Sequence, residues 1–273
     1  MKARGRSKFW KAAWTAASET AAALLFPPRC VHCGAFEDYL CPRCRAELEP
    51  VGEDVCQRCG APHGRPPAAG SAAACGHCLT AGFPFRAARS AFVYRGPARS
   101  LVAACKGGGL RVVADSMARL AADSFDTLAR RAGGRSGRVL VTWVPAHESA
   151  DRRRGYNHAE VFARALVAGA QFDDGTESGA LLRLEARRLC SKVQRTVAQH
   201  GLDRRARQHN LRGAFAAVDW DGAEAEGVIL VDDVFTTGAT AAEVARVLVD
   251  AGFPPVYVFT FSRTPGGTVV MRD

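Results

Sequence analysis

Val228-Ile229-Leu230-Val231-Asp232-Asp233-Val234-Phe235-Thr236-Thr237-Gly238-Ala239-Thr240 is the stretch that decides the fold. Its first four residues are apolar without a break, which predicts a strand buried on both faces, as in a parallel sheet. Asp232 and Asp233 stand at the carboxyl end of that strand, and a run of small and hydroxyl-bearing residues leads into a helix expected over Thr240–Ala251. In open α/β sheets, ligands bind beyond the carboxyl ends of the strands. Backbone amides of such a loop, together with the positive end of the next helix, can cradle a phosphate. Thr236, Thr237 and Thr240 add hydroxyl donors, and Gly238 lets the backbone come close. Two adjacent carboxylates would repel a phosphate. They suit the vicinal hydroxyls of a sugar, or magnesium. A Walker B reading lacks its companion, because no G-x-x-x-x-G-K-[ST] occurs in the chain. A receiver-domain reading places such an acid pair near the start of the domain, and here it lies in the last quarter of the chain.

Outward from this stretch, further strands are expected at Ala91–Tyr94, Val139–Val144 and Val256–Phe261. Helical spacing recurs from Gly96 toward Lys106, over Val112–Leu128 and over Asn157–Ala168. Strands alternating with helices predict an α/β fold, a doubly wound parallel sheet with helices on both faces, occupying residues 83–273. Arg183–Arg212 is basic with weak periodicity. At the other end, Trp10, Trp14, Ala17, Ala21 and Leu24 mark an amphipathic helix over residues 7–26, stopped by Pro27-Pro28, so that 1–28 form an N-terminal segment. Its apolar stripe is read as packing on its own protein.

The chain has 273 residues, 48% of them hydrophobic, enough to bury a core. Its net charge of +10 favours anionic partners without choosing among nucleotides, phosphosugars and nucleic acid. No run of 18 apolar residues occurs, so no membrane span is expected. Lys2, Arg4, Arg6, Lys8 and Lys11 resemble the start of a signal peptide, but Thr15, Ser18, Glu19 and Thr20 interrupt the apolar stretch that would have to follow. A cytoplasmic location is expected.

Ten cysteines are present, eight of them in four C-x-x-C pairs: Cys30/Cys33, Cys41/Cys44, Cys56/Cys59 and Cys75/Cys78. Two intervening residues place both sulfurs of a pair on one tight turn aimed at a common metal. Four thiolates close a tetrahedral cage, so residues 29–82 are read as a double zinc ribbon holding two structural zinc ions. Neighbouring pairs are expected to combine in order, with an interleaved arrangement left open. A redox reading needs a single pair beside a βαβ unit, and these pairs sit in a loop-rich block. Cys105 and Cys190 fall outside it, and His32 and His77 are read as turn residues.

The thirteen residues from Val228 to Thr240 resemble the signature of type I phosphoribosyltransferases. The chain further resembles the competence-associated ComF family, also called the GntX family, which joins a double zinc ribbon to such a domain. The resemblance is carried by Phe26-Pro27-Pro28-Arg29-Cys30, Leu40-Cys41-Pro42-Arg43-Cys44, Val144-Pro145 with Arg154-Gly155-Tyr156-Asn157, and Asn210-Leu211-Arg212-Gly213-Ala214-Phe215. It implies a protein that binds phosphoribosyl pyrophosphate with magnesium. Asp232 and Asp233 would hold the ribose hydroxyls as catalytic residues, and Thr236, Thr237, Gly238, Ala239 and Thr240 the 5-phosphate. Arg152, Arg153 and Arg154, with Lys106, would meet the pyrophosphate. Glu148, Ser149, Ala150 and Asp151 depart from the family, which is usually basic there. If the protein turns over, the reaction is displacement at ribose C1 with release of pyrophosphate. Leu189–Arg207 would then be the closing loop and residues 84–131 the source of an acceptor pocket. The alternative is a non-catalytic protein of natural transformation, serving single-stranded DNA or the competence machinery.

Overall fold

The computed structural model describes residues 28–36, 38–62, 75–107, 111–134, 137–146, 155–170, 182–194, 211–219 and 224–265. Within these, two short helices, α1 (Pro42–Ala46) and α2 (Gly76–Ala81), belong to the cysteine block. They are followed by β1 (Ala87–Val93), α3 (Gly96–Gly107), α4 (Arg111–Gly133), β2 (Arg138–Trp143), α5 (His158–Gly169) and β3 (Arg183–Ala186). The chain continues through β4 (Cys190–Lys192), β5 (Phe215–Ala217), β6 (Gly227–Phe235), α6 (Ala239–Asp250) and β7 (Val256–Arg263). Five strands form one parallel sheet in the order β1-β7-β6-β2-β3, and β4 and β5 pair as a separate antiparallel ribbon.

The alternation of side chains along each strand divides the core in two. On one face Val139, Val141, Ile229, Val231, Phe259 and Phe261 meet Val113, Met117, Ala121, Phe125 and Leu128 of α4 and Phe162 and Leu166 of α5. On the other, Leu140, Val228, Leu230 and Val258 meet Val244, Ala245 and Leu248 of α6. The helix residues recur three or four apart, the spacing that puts one stripe on the sheet. The expected α/β architecture with helices on both faces is therefore the observed one.

The cysteine block straddles the β1 edge. Cys30, Leu40, Cys41 and Cys44 pack on the α4 face, whereas Cys56, Cys59, Cys78, Phe83 and Phe85 pack on the α6 face. Between the two halves, the Val51 amide donates to Ala91 O at 2.9 Å and the Val93 amide to Glu49 O at 2.8 Å. This short antiparallel pairing covers the outer edge of β1, which would otherwise offer open backbone groups to another chain.

Several elements differ from the sequence expectations. β1 begins four residues before Ala91, because Ala87–Ser90 pair in register with Tyr257–Thr260. β6 runs on through the acid pair to Phe235, since β7 continues beside it. The basic segment from Arg183 contributes β3 and β4, strands too short and too exposed to show an apolar pattern. The N-terminal helix expected over 7–26 and the arginines 152–154 lie outside the described residues. No helix among those described is long and apolar enough to cross a membrane.

Candidate functional site

β6 has two neighbours that leave it at different points. Pairing with β2 ends at Trp143 opposite Val231, extended by the Val144 amide donating to Val231 O at 3.0 Å. Pairing with β7 continues from Asp232 opposite Thr260 to Phe235 opposite Arg263. The connection from β2 runs through α5 to β3 on one side, and that from β6 through α6 to β7 on the other. The sheet parts between β2 and β6, the place where doubly wound sheets form a ligand crevice. Asp232 and Asp233 stand in that parting.

Asp233 is 7% exposed. Its Oδ2 lies 2.5 Å from Lys106 Nζ, at the end of α3, and 3.3 Å from His158 Nε2, at the start of α5. Two groups from the ends of different helices thus converge on this one carboxylate oxygen. Asp232 Oδ1 accepts the Asp233 amide at 2.9 Å. One ligand atom from each of His158, Asp232 and Asp233 lies within 4.8 Å of the others. Burial opposes charge on both acids. At Asp233, His158 and Lys106 outweigh it and hold the carboxyl well below the usual carboxylate range. At Asp232, burial and then the Asp233 charge prevail and push the carboxyl up to about 7. One carboxylate is thus firmly ionised and its neighbour shares a proton with solvent near neutral pH.

The segment before α5 sets this geometry. Gly155 takes a φ of 78°, and Tyr156 Oη donates to Cys105 O at 2.8 Å, tying the segment to the turn of α3 that bears Lys106. Asn157 caps α5, its Oδ1 accepting from the Ala159 and Glu160 amides at 2.9 and 3.3 Å. Its Nδ2 donates to Val144 O at 3.1 Å, fastening the cap to the end of β2. His158 follows and is thereby aimed at Asp233. Sequence reasoning stopped one residue short of it, although it directly follows Arg154-Gly155-Tyr156-Asn157. Lys106, expected beside pyrophosphate, sits on the acid pair. Arg152, Arg153 and Arg154 lie outside the described residues, as do Glu148–Asp151.

Beyond Phe235, Thr236 and Thr237 lead to Gly238, which caps α6 in the left-handed conformation with φ 74°. Thr237 Oγ1 accepts the Ala239 amide at 3.4 Å. The chain turns from β6 into α6 within three residues, so the N-terminus of α6 follows closely on the acid pair.

The cysteines form two groups. The sulfurs of Cys30, Cys33, Cys41 and Cys44 lie within 4.8 Å of one another, as do those of Cys56, Cys59, Cys75 and Cys78. Tetrahedral zinc with Zn–S bonds of about 2.3 Å requires S···S edges of about 3.8 Å. Cys33···Cys41, Cys56···Cys78 and Cys75···Cys78 are each 3.7 Å apart and Cys59···Cys75 is 3.4 Å. These spacings suit two structural zinc ions, one per sequential tetrad. The halves are built alike: the Cys30 amide donates to Ala35 O and the Cys56 amide to Ala61 O, both at 2.8 Å. Gly34 and Gly60, with φ of 80° and 68°, close the two turns. Burial raises the Cys30 and Cys56 thiols, but the backbone amides facing them prevail and bring both to about 6, whereas burial and the neighbouring sulfurs push Cys59 up to about 11 and Cys44 and Cys78 well above the ordinary thiol range. Cys105 and Cys190 lie outside both tetrads, and burial pushes them up to about 11 and about 12.

Residues 21–79 match the double zinc ribbon domain family. The chain is 30% identical over 213 residues to the DNA utilization protein YhgH of Salmonella typhi, covering 77% of this chain and 84% of that protein. Its counterpart in Escherichia coli K12 is 28% identical over 211 residues, with the same coverage. Competence protein F of Haemophilus influenzae is 30% identical over 121 residues, 44% of this chain and 48% of that protein.

Proposed function

The chain belongs to the family of the DNA utilization protein YhgH and competence protein F, and on that premise we propose that it binds phosphoribosyl pyrophosphate in the crevice between β2 and β6. The observation that carries this reading is the acid pair standing where β2 has left β6, followed within five residues by the Gly238 cap of α6. Asp232 and Asp233 would accept the ribose hydroxyls, and the amides and hydroxyls from Thr236 to Thr240 the 5-phosphate. Arg152, Arg153 and Arg154 follow the β2 strand end in sequence and supply planar donors for a diphosphate. Lys106 lies within reach of the acids and can turn from Asp233 toward an incoming anion, since it is 44% exposed. The two carboxylates would hold magnesium together with the ligand's oxygens, and the ion would neutralise charge on the pyrophosphate.

Where an acceptor is present, the reaction is displacement at ribose C1: the C1–O bond to pyrophosphate breaks and a bond to the acceptor forms. The protein's part is to orient the ribose through its hydroxyls, to receive the charge growing on the leaving group, and to exclude water. Residues 29–82 act in this scheme as a zinc-held module bracing the domain over 83–273.

Calorimetry with phosphoribosyl pyrophosphate and magnesium tests the reading. The wild type should bind, and Asp233→Asn should bind at least about tenfold more weakly while remaining folded. A wild type giving no heat, or a variant that binds equally well, overturns it. Pyrophosphate release with candidate bases or amines then decides whether binding leads to turnover.

A second reading rests on what the relatives are called, on the net charge of +10 and on Arg195, Arg204, Arg205 and Arg207 of the basic segment. It makes the protein a non-catalytic partner of single-stranded DNA or of competence proteins, with phosphoribosyl pyrophosphate as a regulatory ligand. Single-strand affinity that falls steeply with salt, with no pyrophosphate released for any acceptor, favours it. Salt-independent or absent DNA binding removes its nucleic-acid half and leaves only a protein partner.

A further inference from the structure

Gly238 has no room for a side chain. A Cβ there would lie 2.5 Å from Phe235 Cζ and 3.0 Å from Phe83 Cε1. Phe235 belongs to the strand that enters the loop, but Phe83 comes from the residues just after the second tetrad. Phe83 stacks on Phe85 at 4.7 Å between centroids, and both rings meet Phe235 edge-on, at 6.2 and 6.3 Å. Arg58, between Cys56 and Cys59, donates to the Phe83 carbonyl.

A second tie runs through Arg263, which is 3% exposed. Its Nη1 donates to Cys59 O at 2.9 Å, and its guanidinium lies 5.3 Å from the Phe235 centroid. The next residue, Thr264, donates its amide to Phe235 O at 3.1 Å. Gly60 is packed so closely here that a Cβ would stand 2.5 Å from Ala88 O and 3.3 Å from Arg263 Nη1. Among the described residues no carboxylate pairs with Arg263. Burial holds the guanidinium below its ordinary value, and the sulfurs of Cys59, Cys75 and Cys56 work against that shift. Arg263 thus joins the backbone of the second tetrad to the ring of Phe235 at the start of the loop.

We infer that the second cysteine tetrad is a wall of the 5-phosphate loop: its metal-held fold sets the shape of residues 235–240 through Phe83, Phe85 and Arg263, which are positioning residues. The first tetrad packs instead on α4, through Leu40 beside Ser116 and Leu120. The inference rests on reading Phe235–Thr240 as that loop.

The test compares Phe83→Ala with Leu40→Ala, both in the full zinc-loaded chain. Each removes a buried ring or branched side chain from one half of the cysteine block, and neither removes a sulfur. Zinc content is read by native mass spectrometry, loop protection by hydrogen exchange at 235–241, and affinity by titration with phosphoribosyl pyrophosphate and magnesium. Phe83→Ala should keep both zinc ions, speed exchange of the loop amides and weaken affinity on the order of tenfold. Leu40→Ala should lower thermal stability yet leave loop exchange and affinity within about twofold of wild type. Unchanged exchange in Phe83→Ala, or equal loss in both variants, overturns the inference. A wild type that fails to bind sinks the ligand reading alone, because the exchange comparison still decides the link. Should Phe83→Ala not fold, the wild type supplies the test by reciprocity: the ligand should slow chelator-driven release of one zinc equivalent and not the other. Equal slowing of both, or of neither, overturns the inference as well.

Discussion

Replacing Asp232 with asparagine should make the ligand-free protein more stable at neutral pH, by an amount that shrinks as the solution is acidified. Among the described residues its side chain makes one hydrogen bond, Oδ1 accepting the Asp233 amide at 2.9 Å, which an asparagine also makes. What the carboxylate adds is charge in the wrong place: burial and then the Asp233 charge raise it from 3.8 to about 7, against the pull of His158 and Lys106. An acid raised in the folded state is ionised more readily when unfolded. Between pH 3.8 and about 7 the unfolded chain therefore binds fewer protons, and stability falls as pH rises. A shift of about three units corresponds to about 4 kcal/mol. Partial exposure of the side chain screens some of this, so about 2–3 kcal/mol should appear near pH 8 and about 1 kcal/mol near pH 5.5. Asp233 adds no slope in this window. Its lowered value means that its stabilisation is complete above the unfolded value and is lost only as pH falls further. Thermal unfolding of both proteins from about pH 5.5 to about pH 8 measures the effect, with thiolate and zinc contributions cancelling in the difference. A rise in midpoint on the order of 5–10 °C is expected at the upper end. Parallel profiles for the two proteins would refute the electrostatic account of the pair.

Gly238→Ala should lower the unfolding midpoint and abolish ligand-induced stabilisation, because it forces a Cβ to 2.5 Å from Phe235 at a φ of 74°; a strained loop position of this kind costs about 1–3 kcal/mol. Asn157→Ala removes the cap of α5 and its tie to Val144, so denaturant unfolding should show a loss of about 1–2 kcal/mol and calorimetry a weaker ligand. Cys105→Ser and Cys190→Ser should each retain two zinc equivalents by native mass spectrometry, whereas Cys59→Ser should retain one.

The parts legible in the sequence are those where local pattern and global fold agree. Val228–Val231 reads as a buried strand because every one of its residues is buried, two against α4 and α5 and two against α6. The tetrads were legible because a C-x-x-C turn fixes its own geometry, and the glycines at 34 and 60 repeat the device. β3 was not legible: Arg183, Leu184, Glu185 and Ala186 form an edge strand on the strength of β2 beside them, with Glu185 paired to Arg138. Tertiary contact overrode a weak local preference there. Asp232 and Asp233 were visible as an acid pair, but not their partners. Lys106 and His158 are brought to Asp233 by the ends of two different helices, and the pairing depends on a hydrogen bond from Tyr156 to a carbonyl 51 residues away. Nor does any local pattern join Phe83 to Gly238, since they meet only after the sheet has brought the second tetrad to the α6 face.

The raised carboxyl of Asp232 also makes the role of the acid pair measurable by its sign. A sugar diol donating to Asp232, or a divalent cation held by it, stabilises the ionised form and lowers its pKa on binding. With the free group near half-protonation at neutral pH, binding of phosphoribosyl pyrophosphate should then release up to about half a proton from this residue. A protonated Asp232 that donated to a ligand oxygen would do the reverse and take a proton up. Titrations in buffers of different ionisation enthalpy report the count. The ligand's own phosphates titrate alike in wild type and in Asp232→Asn, so the difference between the two belongs to the carboxyl. Release that disappears in the variant makes Asp232 an acceptor, as a diol or cation site requires. Uptake would make it a donor and remove the ribose assignment, and equal counts in both proteins would mean that the ligand does not touch it.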